Sequence, residues 1–257
     1  MSSIKHHITK DGSSTLYSDV FEQYYHNPNG AVSESRHVFF ETPGLVDQLQ
    51  MADAQLSIFE MGFGTGLNFL LLLDYCSKMK VSKPIHFYSV EAFPVSIETI
   101  DAINYEEILE DDVYKPFLKT LFSSLQKGWN TFSINTRPTI ELHLFYGMFD
   151  ELSAPENKID FFFHDPFSPE VNGELWTAET FKKLKAMANI NSVLSTYCAA
   201  SKARAALAKA GWNIARANGA LGKREMTIAS LNQEKLSGFK RLNESRLIER
   251  LDGGDFD

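Results

Sequence analysis

Three carboxylates, each closing a short apolar run, carry the chemistry legible in this sequence: Glu60, Glu91 and Asp165. The first opens the stretch Glu60-Met-Gly62-Phe63-Gly64-Thr-Gly66-Leu-Asn68. Glycines at alternate positions let a backbone turn sharply and come close to a ligand with no Cβ in the way. A dinucleotide fingerprint, G-x-G-x-x-G, would put its third glycine at position 67, and that position is Leu67. Glu91 stands 25 residues past Gly66, close to the spacing of about 20 at which an acidic side chain accepts ribose hydroxyls. Phe93 follows it and offers a ring to an adenine. The third carboxylate lies in Phe161-Phe-Phe-His164-Asp165-Pro166-Phe167-Ser168-Pro169. An amine about to be alkylated must present a neutral, correctly turned lone pair. Asp165 can accept an N–H bond, orient such an amine and take a proton. Pro166 adds a carbonyl acceptor without an N–H, and Phe167 can stack on a base. The structural alternative is that Asp165 caps a turn, a common task for Asp before Pro. His164 reads as a packed strand-end residue.

The pattern E-x-G-x-G-x-G suits the methionine end and ribose of S-adenosylmethionine. A pyrophosphate needs a bare helix N-terminus, whereas a sulfonium favours a nearby carboxylate such as Glu60. The elements that must hold these groups alternate. Strands are expected at Leu56–Glu60, Ile85–Val90, Thr139–Phe145, Ile159–Phe163, Val193–Tyr197 and Met226–Ala229. Helices are expected at Leu67–Tyr75, over most of residues 96–130 (with Glu106, Glu107, Glu110, Asp111 and Asp112 on a wet face), from Thr177, and at Ser201–Ala210. Strands separated by helical crossovers imply an α/β fold with a mainly parallel, doubly wound sheet and helices on both faces. Ligands in such sheets sit at the carboxyl ends of the strands, where each of the three carboxylates falls. Residues 1–50 are expected as an N-terminal extension on the core, with 1–30 an irregular lead-in or hairpin. Residues 51–235 form the main domain and 236–257 a tail.

At 257 residues the chain is long enough for one large α/β domain. No apolar run approaches the roughly 18 residues of a membrane span, and the start lacks a signal-peptide core. Cys76 and Cys198 lie far apart without metal-ligand spacing. Reduced thiols in a cytoplasm and no bound metal are therefore expected. The net charge of −8 argues against a nucleic-acid partner at first sight. Residues 201–250, however, hold eleven Lys/Arg against four Glu, a local surplus of seven positive charges on a chain otherwise at −15. Such asymmetry marks either a phosphate-binding face or a merely solvated helix surface.

Several segments together resemble one family, the methyltransferase domain of the bacterial tRNA 5-methylaminomethyl-2-thiouridine enzyme. They are Tyr17-Ser-Asp-Val-Phe, Asn29-Gly30, Glu34-Ser-Arg36-His-Val-Phe39, the glycine turn through Phe69, and Val90-Glu-Ala-Phe-Pro94. Asp165-Pro-Phe-Ser-Pro169, Glu174-Leu-Trp176, Leu194-Ser-Thr-Tyr197 and Gly222-Lys-Arg-Glu-Met226 continue the likeness. The resemblance implies a Rossmann-like class I methyltransferase that methylates the aminomethyl nitrogen on carbon 5 of a tRNA wobble uridine. It implies Asp165 as the catalytic carboxylate. Glu60, Gly62, Phe63, Gly64, Gly66, Asn68, Glu91, Phe93, Gly147, Met148 and Asp165 are expected around S-adenosylmethionine. Arg36, Pro166, Phe167, Lys223 and Arg224 are expected toward the tRNA; Arg36 has a surface salt bridge as its alternative. Many members carry an acidic residue straight after the glycine that ends the fourth strand, where this chain has Met148 after Gly147; Asp150 would substitute only if the loop bends back. The chain ends without a second glycine fingerprint, so no flavin is expected. Another amino-group methyltransferase, a NAD-type oxidoreductase and a non-catalytic S-adenosylmethionine-binding relative are the competing readings.

Overall fold

The computed structural model describes residues 4–51, 55–109, 114–134 and 139–256; of the acidic positions assigned to a wet face, Glu110, Asp111 and Asp112 lie outside them. The chain begins with β1 (Ile4–Ile8), β2 (Ser14–Ser18) and β3 (Gln23–Tyr24), a three-stranded antiparallel sheet that realises the hairpin alternative for residues 1–30. Helix α1 (Ala31–Ser35) runs into a π-helical turn at Arg36–Glu41, and α2 (Leu45–Gln50) precedes the main sheet.

That sheet opens with β4 (Leu56–Met61), α3 (Leu67–Met79) and β5 (Ile85–Glu91). Three short helices follow, α4 (Ile97–Ala102), α5 (Tyr105–Leu109) and α6 (Tyr114–Ser124). Then come β6 (Gly128–Ile134), β7 (Ile140–Tyr146), β8 (Ile159–His164), α7 (Ala178–Met187), β9 (Ala188–Thr196) and α8 (Ser201–Lys209). The chain closes with β10 (Asn213–Ala217), β11 (Met226–Ser230), β12 (Lys240–Arg241) and α9 (Glu244–Asp252). Spatial order is β12-β10-β11-β9-β8-β4-β5-β7-β6. Strands β7, β5, β4, β8 and β9 run parallel, while β6, β11, β10 and β12 are antiparallel additions at the flanks.

Side-chain alternation divides the core between two faces. Ile58, Phe87, Leu142, Phe161 and Phe163 pack on one side with α3 residues Phe69 and Leu70. Phe59, Tyr88, Phe145, Phe162 and Leu194 pack on the other with Phe181 of α7 and Leu207 of α8. The unbroken apolar run of β8 follows from burial on both faces.

Two expectations change. Residues 128–130 belong to β6, not to a helical stretch, because Gly128–Ile134 pairs residue for residue with β7 along the sheet edge. Within the segment 236–257, expected as a tail, residues 240–252 continue the fold: β12 pairs with β10, and Leu247 and Ile248 of α9 pack on the core beside α8. Strand order reverses between β4 and β8, whose neighbours β5 and β9 were reached by crossovers in opposite directions. A crevice opens at such a switch point, at the carboxyl ends of the strands.

Candidate active site

β4 delivers Glu60 to this crevice, and the chain then turns through Gly62, Gly64 and Gly66, all with left-handed φ angles of +88°, +55° and +82°. At Gly66 space is closed as well: a Cβ there would stand 2.9 Å from Leu118 Cδ2 and 3.2 Å from the Phe63 ring. Any other residue would strain the backbone and collide. Gly66 thus sets the turn and the start of α3 without lining the cavity, whose walls include Gly62, Phe63 and Gly64. The Phe63 ring itself is buried in the core.

The turn is locked to β5. Glu91 accepts the Gly64 N–H at 2.8 Å through Oε2 and the Phe93 N–H at 2.7 Å through Oε1. Asn68, in the first turn of α3, donates from Nδ2 to Glu60 Oε1 at 2.8 Å and to Asp165 Oδ2 at 3.2 Å, and Ser89 Oγ donates to Glu60 Oε2 at 3.1 Å. Two carboxylates from different strands therefore share one amide. Burial raises all three above the ordinary carboxylate range, Glu60 and Asp165 well above it. Asp165 and Glu91 push Glu60 further up, and Glu34 does the same to Asp165; the hydrogen bonds from neutral donors oppose the shift. The low-dielectric rim disfavours three negative charges unless a cation joins them.

Two cavities meet at Asp165-Pro166-Phe167. The first, of about 300 Å³, is lined by Glu60, Glu91, Asp165, Phe93, Gly147 and Met148 among others. Asp150 also lies in its wall, carried there by the 3₁₀ turn Phe149–Glu151. The second, of about 330 Å³, is walled by His26, Asn27, Glu34, Tyr197 and Lys223 together with the same Asp165–Phe167 segment.

The remaining expected site residues separate clearly. Phe167 is held between Phe21, with ring centroids 4.8 Å apart, and Tyr25, at 5.2 Å. The Pro166 carbonyl already accepts the Tyr197 hydroxyl at 2.8 Å. Lys223 pairs with Glu34 at 2.8 Å and stands 5.2 Å over the Tyr197 ring. Arg224 is exposed and lines neither cavity. Arg36 is a correction: its guanidinium turns onto α3, 3.2 Å from Asp74 and 5.9 Å over Tyr75, and lines neither cavity. Its salt-bridge alternative is what the structure shows. His164 packs between Trp176 and Phe181, and burial lowers its pKa to about 3, so it stays neutral. Glu34, Tyr197, His26 and Asn27 had been given no role. Glu34 and Tyr197 sit inside the family-like segments, which was the available signal.

Residues 110–232 match a family described as S-adenosyl-L-methionine-dependent methyltransferase. The tRNA 5-methylaminomethyl-2-thiouridine biosynthesis bifunctional protein MnmC of Campylobacter concisus is 31% identical over 221 residues, 85% of this chain and 34% of that protein. Its namesake in Leptospira borgpetersenii is 34% identical over 216 residues, 82% of this chain and 33% of that protein. Over residues 110–232 the chain carries the sequence pattern of an S-adenosylmethionine-dependent methyltransferase. It spans about a third of the length of these curated relatives. The crystal structure of MnmC2 from Aquifex aeolicus shares the fold, with a TM-score of 0.71 at 22% identity over 98% of this chain and 76% of that one. No helix among the described residues is long and apolar enough to cross a membrane.

The first cavity fits the cofactor of that family, S-adenosylmethionine. Asn68 Oδ1 is buried with no hydrogen-bond partner, an acceptor available to a bound ammonium, and Glu60 lies beside it. Glu91, fixed by two backbone N–H groups, lines the same cavity with Phe93, Met148 and Asp150.

Proposed function

We propose that this protein transfers a methyl group from S-adenosylmethionine to an amine, and that the amine is the 5-aminomethyl group of a tRNA wobble uridine, with or without 2-thiolation. One observation carries the amine reading: Asp165 stands in the shared wall of two cavities, one suited to the cofactor and one open to a second molecule. When bound, S-adenosylmethionine supplies an electrophilic methyl group on a sulfonium. An aminomethyl group entering through the second cavity meets Asp165 and Glu34 and is drawn in as a cation. Its charge favours the ionised form of Asp165, which takes one proton from the ammonium and turns the resulting neutral lone pair toward the first cavity; the nitrogen then bonds the methyl group as the methyl–sulfur bond breaks, leaving a secondary ammonium and a neutral thioether. Glu60 is better kept as a counter-charge, since Asn68 and Ser89 already hold it.

The tRNA part of the proposal rests on the relatives' names and on the basic surplus of residues 201–250. Lys223 at the mouth of the second cavity and exposed Arg224 are placed to meet phosphate. A tRNA substrate puts the reaction in the cytoplasm. The test incubates the protein with labelled S-adenosylmethionine and tRNA from cells lacking this methyl group, followed by nucleoside digestion and mass spectrometry. Label in 5-methylaminomethyluridine species is expected. Label on another nucleoside would overturn the substrate, and no label despite tight cofactor binding would overturn the tRNA reading.

A further inference from the structure

At the ends of β5 and β7 remote from the carboxylate rim, strand register sets His86 directly opposite Glu141, with His143 two residues further along β7 on the same face. Three ligating atoms converge there. His86 Nδ1 lies 3.2 Å from Glu141 Oε2 and 3.3 Å from His143 Nε2, and His143 Nε2 lies 3.5 Å from the same Glu141 oxygen. Ligands at about 2.0–2.1 Å around a tetrahedral zinc stand roughly 3.3–3.4 Å from one another. Three corners of such a tetrahedron are thus already spaced.

The surroundings hold these groups in place. Thr131 on β6 pairs with His143, and its hydroxyl oxygen is 3.2 Å from His143 Nδ1. As an acceptor there it keeps the ring proton on Nδ1 and turns the Nε2 lone pair toward the cluster, the usual outer support of a metal-bound imidazole. Tyr88 stacks on the His143 ring at 4.6 Å, and its hydroxyl is held in turn by Asn157 Nδ2 at 2.8 Å. The His86, Glu141 and His143 side chains remain 20%, 33% and 19% exposed, so water can reach a fourth position.

We propose that His86, Glu141 and His143 form a binding site for a zinc-class divalent ion, with water as the fourth ligand. Two imidazoles and one carboxylate favour such an ion over magnesium or calcium, which prefer all-oxygen shells. The ion ties β5 to β7 and stands apart from the methyl-transfer site, so this inference does not depend on the proposed function.

The test is a cobalt(II) titration of the chelator-stripped full chain, followed by the visible bands of four-coordinate cobalt and by zinc displacement. One equivalent per chain is expected, with the bands lost in His143→Gln and affinity at least ~10-fold weaker in Glu141→Gln. Because His6 and His7 lie on exposed β1, a His6→Gln/His7→Gln variant is titrated alongside and is expected to bind as the wild type does. Circular dichroism establishes that each variant is folded; Glu141→Gln decides should His143→Gln not fold. Absence of a stoichiometric site, binding that survives in His143→Gln or is unchanged in Glu141→Gln, or binding lost with His6 and His7 would overturn the proposal.

Discussion

Two regions of this molecule bury charge in opposite ways. At the β10–β11 flank, Arg204 is 7% exposed and every polar group it carries is answered. Its Nε donates to Thr227 Oγ1 at 2.9 Å, Nη1 to Glu225 at 3.0 Å and Nη2 to the Met226 carbonyl at 3.2 Å, while Arg216 meets the other Glu225 oxygen at 2.6 Å. Despite some burial, these arginines hold the Glu225 carboxyl below its usual range. At the carboxyl ends of β4, β5 and β8, Glu60, Glu91 and Asp165 are held by neutral donors, and all three shift upward. A charge buried with its counter-ion is finished structure. Carboxylates whose hydrogen bonds come from neutral donors, with Lys223 acting on Asp165 only through space, still favour a cation, and a sulfonium or an aminomethyl group is one.

The largest effect separating the regions is expected from Asp165→Asn. Methyl incorporation should fall by about 10²–10⁴-fold while calorimetric cofactor affinity changes little; turnover near wild type would remove Asp165 from the reaction. Arg204→Met does the reverse: it removes the bonds to Thr227 Oγ1, to the Met226 carbonyl and to one Glu225 oxygen, Arg216 keeping the other, and should cost about 2 kcal/mol in urea unfolding, with cofactor affinity unchanged.

A pH series sharpens the contrast. Carboxylates whose folded pKa is raised contribute stability that is fully present below the unfolded value near 4 and is lost as pH rises through the folded value. The ligand-free protein should lose this contribution as pH rises from below the unfolded value. The gain in Tm from S-adenosylmethionine should therefore grow over the same range, and a gain independent of pH would count against the cation account. Smaller still, Lys223→Ala and Arg224→Ala should each weaken tRNA binding a few-fold and flatten the salt dependence by about one ion, measured by filter binding at several salt concentrations.

The region that awaits a ligand was also the more legible one. Gly62, Gly64 and Gly66 are dictated by backbone conformation, and Glu91 and Asp165 fall at strand ends, so their places follow from local sequence. The second cavity was less legible because its walls come from residues 23–29, 34, 35, 39, 165–167, 197 and 223, which meet only once the N-terminal sheet lies over the strand ends. Strand β6 was hidden by its position at a sheet edge, where Trp129, Thr131 and Ser133 face outward and Asn130 interrupts the apolar pattern. Strand β10 buries little beyond Ile214 and Ala215 and carries Asn213 and Arg216, which mask it. The His86–Glu141–His143 cluster spans more than fifty residues of sequence and exists only through the β5–β7 register, so cysteine and histidine spacing gave no sign of it.

The carboxylate account is tested most directly by counting protons. Titration calorimetry of S-adenosylmethionine across a pH series above the unfolded carboxylate value near 4, repeated in buffers of different ionisation enthalpy, gives the protons exchanged on binding. Net release is expected, smaller for S-adenosylhomocysteine, whose sulfur is uncharged, and smaller in Asp165→Asn. Binding of S-adenosylmethionine with no proton release would mean that the rim is already ionised when empty, and would contradict the account.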